Sequence, residues 1–143
     1  MRIEISQLPP YSSSQNWRGY WPEKYKEART YQAAVYYECV DMRNRLSRLP
    51  WRPGFPPFDK ARLTLTFVFP GSRERDEDNL RARFKPGQDA LVQAGLIEND
   101  TPTHLVLGEI IIIIDRRRAP LTIIELEEVT DVSNRTLESS NGR

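Results

Sequence analysis

Three consecutive carboxylates, Asp76, Glu77 and Asp78, sit among Arg73, Arg75, Arg81, Arg83 and Lys85 in the segment RERDEDNLRARFKPGQDALVQAGLIEND, residues 73–100. Like charges this close repel, so the crowding is destabilising unless each acid is solvated, paired with a base or ligated to a cation. Asp76 and Asp78 are two apart just after an apolar alternating stretch, and in an extended segment both side chains point to one side. A third acid, Asp100, lies beyond a helical pattern, and a helix folded back along a sheet could carry it to the pair. Three convergent aspartates would form a hard-oxygen site for Mg²⁺ or Mn²⁺. Such an ion would cancel the repulsion, activate a water and stabilise charge developing on a phosphoryl group, with the arginines and Lys85 supplying phosphate contacts. The same residues also read as an acid-rich surface turn. Asp76 and Asp78 would then cap a helix, Lys85 would pair with Asp89 at i,i+4, and Asp100 would open an Asx-turn before Thr101-Pro102. Spacing alone leaves both readings open.

Other chemistries are excluded more firmly. The chain has one histidine, His104, and one cysteine, Cys39, which argues against Ser-His-Asp and Cys-His sites and leaves His104 as a helper beside Asp100. A lone cysteine also rules out an intrachain disulfide and a cysteine-based zinc site, and it fits a reducing compartment. No GxxxxGK phosphate loop occurs. An EF-hand loop counted from Asp76 fails, because its sixth position is Arg81 rather than Gly and its twelfth is Gly87 rather than Glu.

At 143 residues, with 38% hydrophobic and 29% charged residues, the chain suits one globular domain with a single core. Its net charge of +1 hides an asymmetry: residues 1–62 carry 11 Lys/Arg against 6 Asp/Glu, and residues 63–143 carry 10 against 14. A polyanion-binding surface would draw mainly on the first half and on the arginines of the acidic segment. No apolar run approaches the ~20 residues of a membrane helix, and MRIEISQLPP lacks the apolar stretch of a signal peptide, so the expected location is cytoplasmic.

The elements that must position the acids follow from periodicity. RIEIS reads as a short strand, and residues 23–47 as a helix with an apolar stripe at Ala28, Tyr31, Val35, Cys39, Met42 and Leu46. A stiff, proline-rich connection leads to RLTLTFVF, an alternating second strand. A second helix starts near Asn79 and is interrupted at Pro86-Gly87, either by a kink or by a split into two short helices, the second carrying Pro86 in its first turn. Gly95 stops it. HLVLGEIIIIID has the unbroken apolar run of a central strand covered on both faces, and with LTIIELEEV it reads as a hairpin. Trp17, Trp21 and Trp51 could stack on unpaired bases, and packing is the better expectation for each. The expected fold is α+β, two-layer, β-α-β-α-β-β with helices packed on a mixed four-stranded sheet. It spans residues 1–129, and residues 130–143 form a polar, disordered tail.

The ordered set Arg75-Asp76-Glu77-Asp78-Asn79-Leu80, Lys85, DALVQAG from Asp89 to Gly95, and Asp100 resembles the RusA family of Holliday-junction resolvases. The family pattern runs approximately D-x-D-N-L, a lysine on the following helix, a D-[AG]-L segment ending in A-G, and an acidic pair. The likeness extends loosely over residues 1 to about 129 through PPYSSSQN and its charged helix. It implies a small dimeric endodeoxyribonuclease of phage or bacterial recombination and repair that nicks four-way DNA junctions symmetrically with Mg²⁺ or Mn²⁺. Carried over, Asp76, Asp78 and Asp100 are metal ligands and Lys85 faces the scissile phosphate; on their charge alone, Arg73, Arg75, Arg81 and Arg83 are the expected DNA contacts. Two departures matter. The acidic pair is Asn99-Asp100 here, with Glu98 a possible substitute, and the longer stretch between Asn79 and Asp89 makes Arg81 or Arg83 rivals of Lys85. A catalytically silent nucleic-acid-binding or replisome-associated protein of the same fold is the alternative.

Overall fold

The computed structural model describes residues 1–13, 17–71 and 77–130 of the chain. Strand β1 (Arg2–Ile5) is followed by a short 3-10 turn (Tyr11–Ser13) and the long helix α1 (Trp21–Leu46). Pro22 starts α1, where its missing N–H has no partner to lose, and Arg43 and Arg45 in the last turn suit the negative end of the helix dipole. Tyr31, Val35 and Cys39, spaced by four, are its buried stripe. Strand β2 (Ala61–Phe69) leads to helices α2 (Glu77–Arg83) and α3 (Lys85–Gln93), then to strands β3 (Leu105–Ile114) and β4 (Leu121–Glu128). The break between α2 and α3 falls where Pro86 requires it, and Pro86 occupies the first turn of α3. Gly95 ends that helix with φ of 78°, a conformation that a Cβ would strain.

The architecture is α+β, with three helices on one face of a mixed sheet of order β1-β4-β2-β3. β2 runs parallel to β3 and antiparallel to β4, which is antiparallel to β1. Alternate residues of the strands, among them Ile3, Ile5, Leu63, Leu65, Phe67, Ile110, Ile124 and Leu126, point into one core with Tyr31, Val35, Cys39, Leu80, Phe84 and Leu91 of the helices. The polar link through this core is a short chain: Tyr31 OH donates to Thr122 Oγ1 at 3.0 Å, and Thr122 donates to the Gln7 carbonyl at 2.7 Å.

Two expectations about the isoleucine-rich segment are overturned. β3 is an edge strand, and β3 and β4 are not a hairpin, because β2 lies between them. The six residues 115–120 are long enough to step across the end of β2, about 10 Å for two strand spacings. At the edge the apolar run is covered unequally along its length. Ile110 and Ile112 join the core, whereas Leu107, Ile111 and Ile114 stay 51%, 38% and 44% exposed. The tryptophan expectation also fails for two of three, since Trp21 and Trp51 are exposed. Cys39 is buried, as free cysteine usually is. The expected disordered tail, apart from Thr130, lies outside the described residues. Among the described residues no helix is long and apolar enough to cross a membrane.

Candidate functional site

Helix α3 opens on Lys85 and presents Gln88 and Asp89 from the same turn. The chain then reverses at Gly95 and returns through Phe58, which pairs with Ile97, so that Asp100 arrives against the start of α3. Lys85 Nζ lies 2.5 Å from Asp100 Oδ2 and 3.0 Å from Asp89 Oδ1, and Gln88 Nε2 donates to Asp100 Oδ2 at 3.3 Å. The Lys85 ammonium holds the Asp100 carboxyl below its ordinary range, with Gln88 adding to the effect and burial opposing it. The reciprocal bond from Asp100, aided by Asp89, raises Lys85. An ammonium, two carboxylates and an amide thus form one compact polar corner that links two segments separated in sequence.

Asp78 stands exposed in the first turn of α2, where its charge suits the helix dipole. Asp76, Arg73 and Arg75 lie outside the described residues. The other two arginines are engaged with backbone. Arg81 donates to the Gly108 carbonyl at 2.6 Å, and Arg83, which is buried, donates to the Pro9 carbonyl at 2.7 Å with its guanidinium 5.6 Å above the Tyr11 ring. Gly108 sits at the register irregularity between β2 and β3, and a Cβ there would come within 2.7 Å of the Leu63 carbonyl oxygen. The Arg81 contact therefore fastens α2 to an irregular point of the edge strand.

The fold also assembles a group that spacing did not suggest. Ligand atoms of Asp59, Glu98 and His104 all lie within 4.8 Å of one another, the only such group of three among the described residues. His104 Nδ1 is 2.7 Å from the Asp59 carbonyl oxygen. A carbonyl only accepts, so the proton sits on Nδ1 and the Nε2 of a neutral ring keeps its lone pair. Two carboxylates and an imidazole suit a first-row transition ion better than Mg²⁺. Glu98 and His104 were already candidates for their nearness to Asp100 in sequence. Asp59 carried no local signal, because it takes the pairing of Phe58 with Ile97 and of Ala61 with Leu105 to bring its loop to theirs. No protein-family model and no curated protein sequence matches the chain.

Proposed function

We propose that the chain is a RusA-like, structure-selective endodeoxyribonuclease that resolves four-way DNA junctions by paired symmetric nicks. The observation that supports this reading most is the contact of Lys85 with Asp100. The resemblance makes Asp100 a metal ligand and Lys85 the residue that faces the scissile phosphate, roles that require them to be neighbours, and they meet although 15 positions apart. The expected ligand set Asp76, Asp78 and Asp100 is all carboxylate oxygen, which fits Mg²⁺ or Mn²⁺, and Asp100 retains a second oxygen beside the one held by Lys85. A divalent ion bound there would supply an activated water and neutralise charge on the phosphoryl group.

The chain's own residues have distinct tasks in this reading. Gln88 and Lys85 fix the orientation of the Asp100 carboxylate. With a phosphate bound, the Lys85 ammonium, on a flexible stem, would turn from Asp100 to a phosphate oxygen and stabilise the negative charge developing on the leaving group. Arg73 and Arg75 hold the strand. Paired nicks need two sites, so the enzyme acts as a homodimer in the cytoplasm of a bacterial host or phage-infected cell. The exposed Leu107, Ile111 and Ile114 along edge strand β3 are suitable surface for that contact.

Incubation with four-way, three-way and linear DNA, with and without Mg²⁺, tests the proposal. Junction-selective nicking is expected only with metal. It should be abolished in Asp76→Asn, Asp78→Asn and Asp100→Asn while junction binding survives. Wild-type rates from any one variant would remove that residue from the site. Binding without nicking under every metal condition would favour the silent DNA-binding protein, and a strict monomer on the junction, seen by sedimentation, would sink paired resolution.

A further inference from the structure

Helix α1 turns an aromatic and cationic groove outward. Trp21, Tyr25 and Arg29 follow one another at i,i+4, a rise of about 6 Å per step. Two adjoining depressions share Arg29 and Ala33; Trp21, Tyr25 and Lys26 wall one, and Tyr36 and Tyr37 wall the other. Trp21, Tyr25 and Tyr37 are 58%, 56% and 70% exposed. Trp21 and Tyr25 meet edge to face with centroids 5.1 Å apart, and Lys24 Nζ lies 5.0 Å above the indole.

Charge decides what such a surface can take. No acid lines either depression, whereas Glu23 and Glu27 line the neighbouring groove against Gln7, Leu8 and Pro10, where Glu27 accepts a hydrogen bond from Ser12. A second copy docked about a two-fold axis on this groove would set Arg29, at its shared midpoint, against its own equivalent with no acid between them. Flat exposed rings interleaved with cations instead match a strand that presents bases and phosphates together, since every base offers a π-face and every link an anion.

We propose that the α1 groove binds an unpaired stretch of DNA, with bases stacked on Trp21 and Tyr25 and the backbone on Lys26 and Arg29. The inference rests on the nuclease reading only for the choice of DNA as the polyanion. It gives the enzyme a reason to favour junctions whose strands separate over those that remain fully stacked.

The test is titration of the full-length protein with a short oligodeoxythymidylate, read by tryptophan fluorescence and by anisotropy of labelled DNA. The oligonucleotide should quench fluorescence in the wild type, and Trp21→Phe should remove most of that quench although Trp17 and Trp51 remain. Trp21→Ala with Tyr25→Ala should weaken oligonucleotide binding at least tenfold without moving the melting temperature, and should weaken linear duplex binding far less. Arg29→Ala should lower the log–log salt slope by about 1. Unchanged oligonucleotide affinity in the double variant, an equal loss for duplex, or displacement of the oligonucleotide by polyglutamate with the same Trp21 quench would each overturn the proposal, the last by making the groove a protein-docking surface. Oligonucleotide binding in a protein that never nicks would end the nuclease reading and leave the groove. Nicking with unaltered oligonucleotide affinity in the double variant would do the reverse.

Discussion

Arg83 and Arg29 are both helical arginines in a DNA-binding reading, yet the fold uses them oppositely. Arg83 is buried, tied to the Pro9 carbonyl and laid over Tyr11, so it fastens the segment after β1 to α2. Arg29 is exposed and shared by two open depressions that no acid lines. The contrast teaches that a guanidinium near an acidic motif is not thereby a phosphate contact. Its five donors serve whatever acceptor the packing brings, and a buried carbonyl without a partner is costly.

The largest expected effect tests the buried member. Arg83→Ala removes a charge-assisted hydrogen bond and a ring contact, so it should destabilise the domain by about 3 kcal/mol, seen as a lower denaturant midpoint. Arg83→Lys should recover only part, because an ammonium lacks the planar fork. Cys39 offers an independent readout. Burial pushes its thiol up to about 12, so alkylation waits on opening of the core and should run at least ~30-fold faster in Arg83→Ala. Preserved stability together with a reduced salt slope on DNA would invert the comparison and return Arg83 to the phosphate contacts.

A neutral tether to the same segment gives a smaller step. Tyr31→Phe leaves Thr122 bonded to the Gln7 carbonyl but removes the tyrosine's own bond, so a loss of about 1 kcal/mol is expected from the same denaturation measurement. If Tyr31→Phe cost as much as Arg83→Ala, packing around the segment rather than charge would be holding it.

The Lys85 corner lies between the two extremes of burial. Because Asp100 is held low, the stability it contributes is complete above the ordinary carboxylate range and is lost as pH falls through its depressed value. Because Lys85 is raised, its contribution is complete below the ordinary lysine value and is lost only as alkaline pH passes the raised one. In Lys85→Ala, Asp100 should titrate closer to an ordinary aspartate, followed by carboxyl NMR shifts. Stability should change by under ~1 kcal/mol, since the Lys85 side chain is 56% exposed and screened. An unmoved Asp100 titration would mean that Gln88 and the local backbone set its state.

The smallest effect on stability belongs to the open member. Arg29→Ala should change unfolding free energy by no more than ~0.5 kcal/mol. A loss several times larger would show that Arg29, like Arg83, serves the fold.

Local features of this chain were legible because they depend on neighbours in sequence. The stripe of Tyr31, Val35 and Cys39 predicts the buried face of α1, Pro86 predicts the split between α2 and α3, and Gly95 predicts the stop. Each is a matter of helical period or of one residue's allowed φ. The Lys85–Asp89 pair was likewise readable from its spacing of four. The candidate site was legible only in part. Lys85 and Asp100 were named as candidates and do meet, whereas nothing near Asp59 announced that it would join Glu98 and His104.

The sequence by itself determined which segments are helix and strand, which side of α1 and β2 is apolar, and that acids, a lysine and arginines cluster around residues 73–100. Only the tertiary structure decided that β3 lies at an edge with β2 between it and β4, that Arg83 turns inward, and that Trp21 and Tyr25 stay outside. The physical reason is the range of the forces involved. Periodicity and backbone sterics act within a few residues, so a short segment carries its own answer. Strand order and the burial of a given side chain depend on which surfaces, far apart in the chain, find the most apolar area and the fewest unpaired polar groups when they meet.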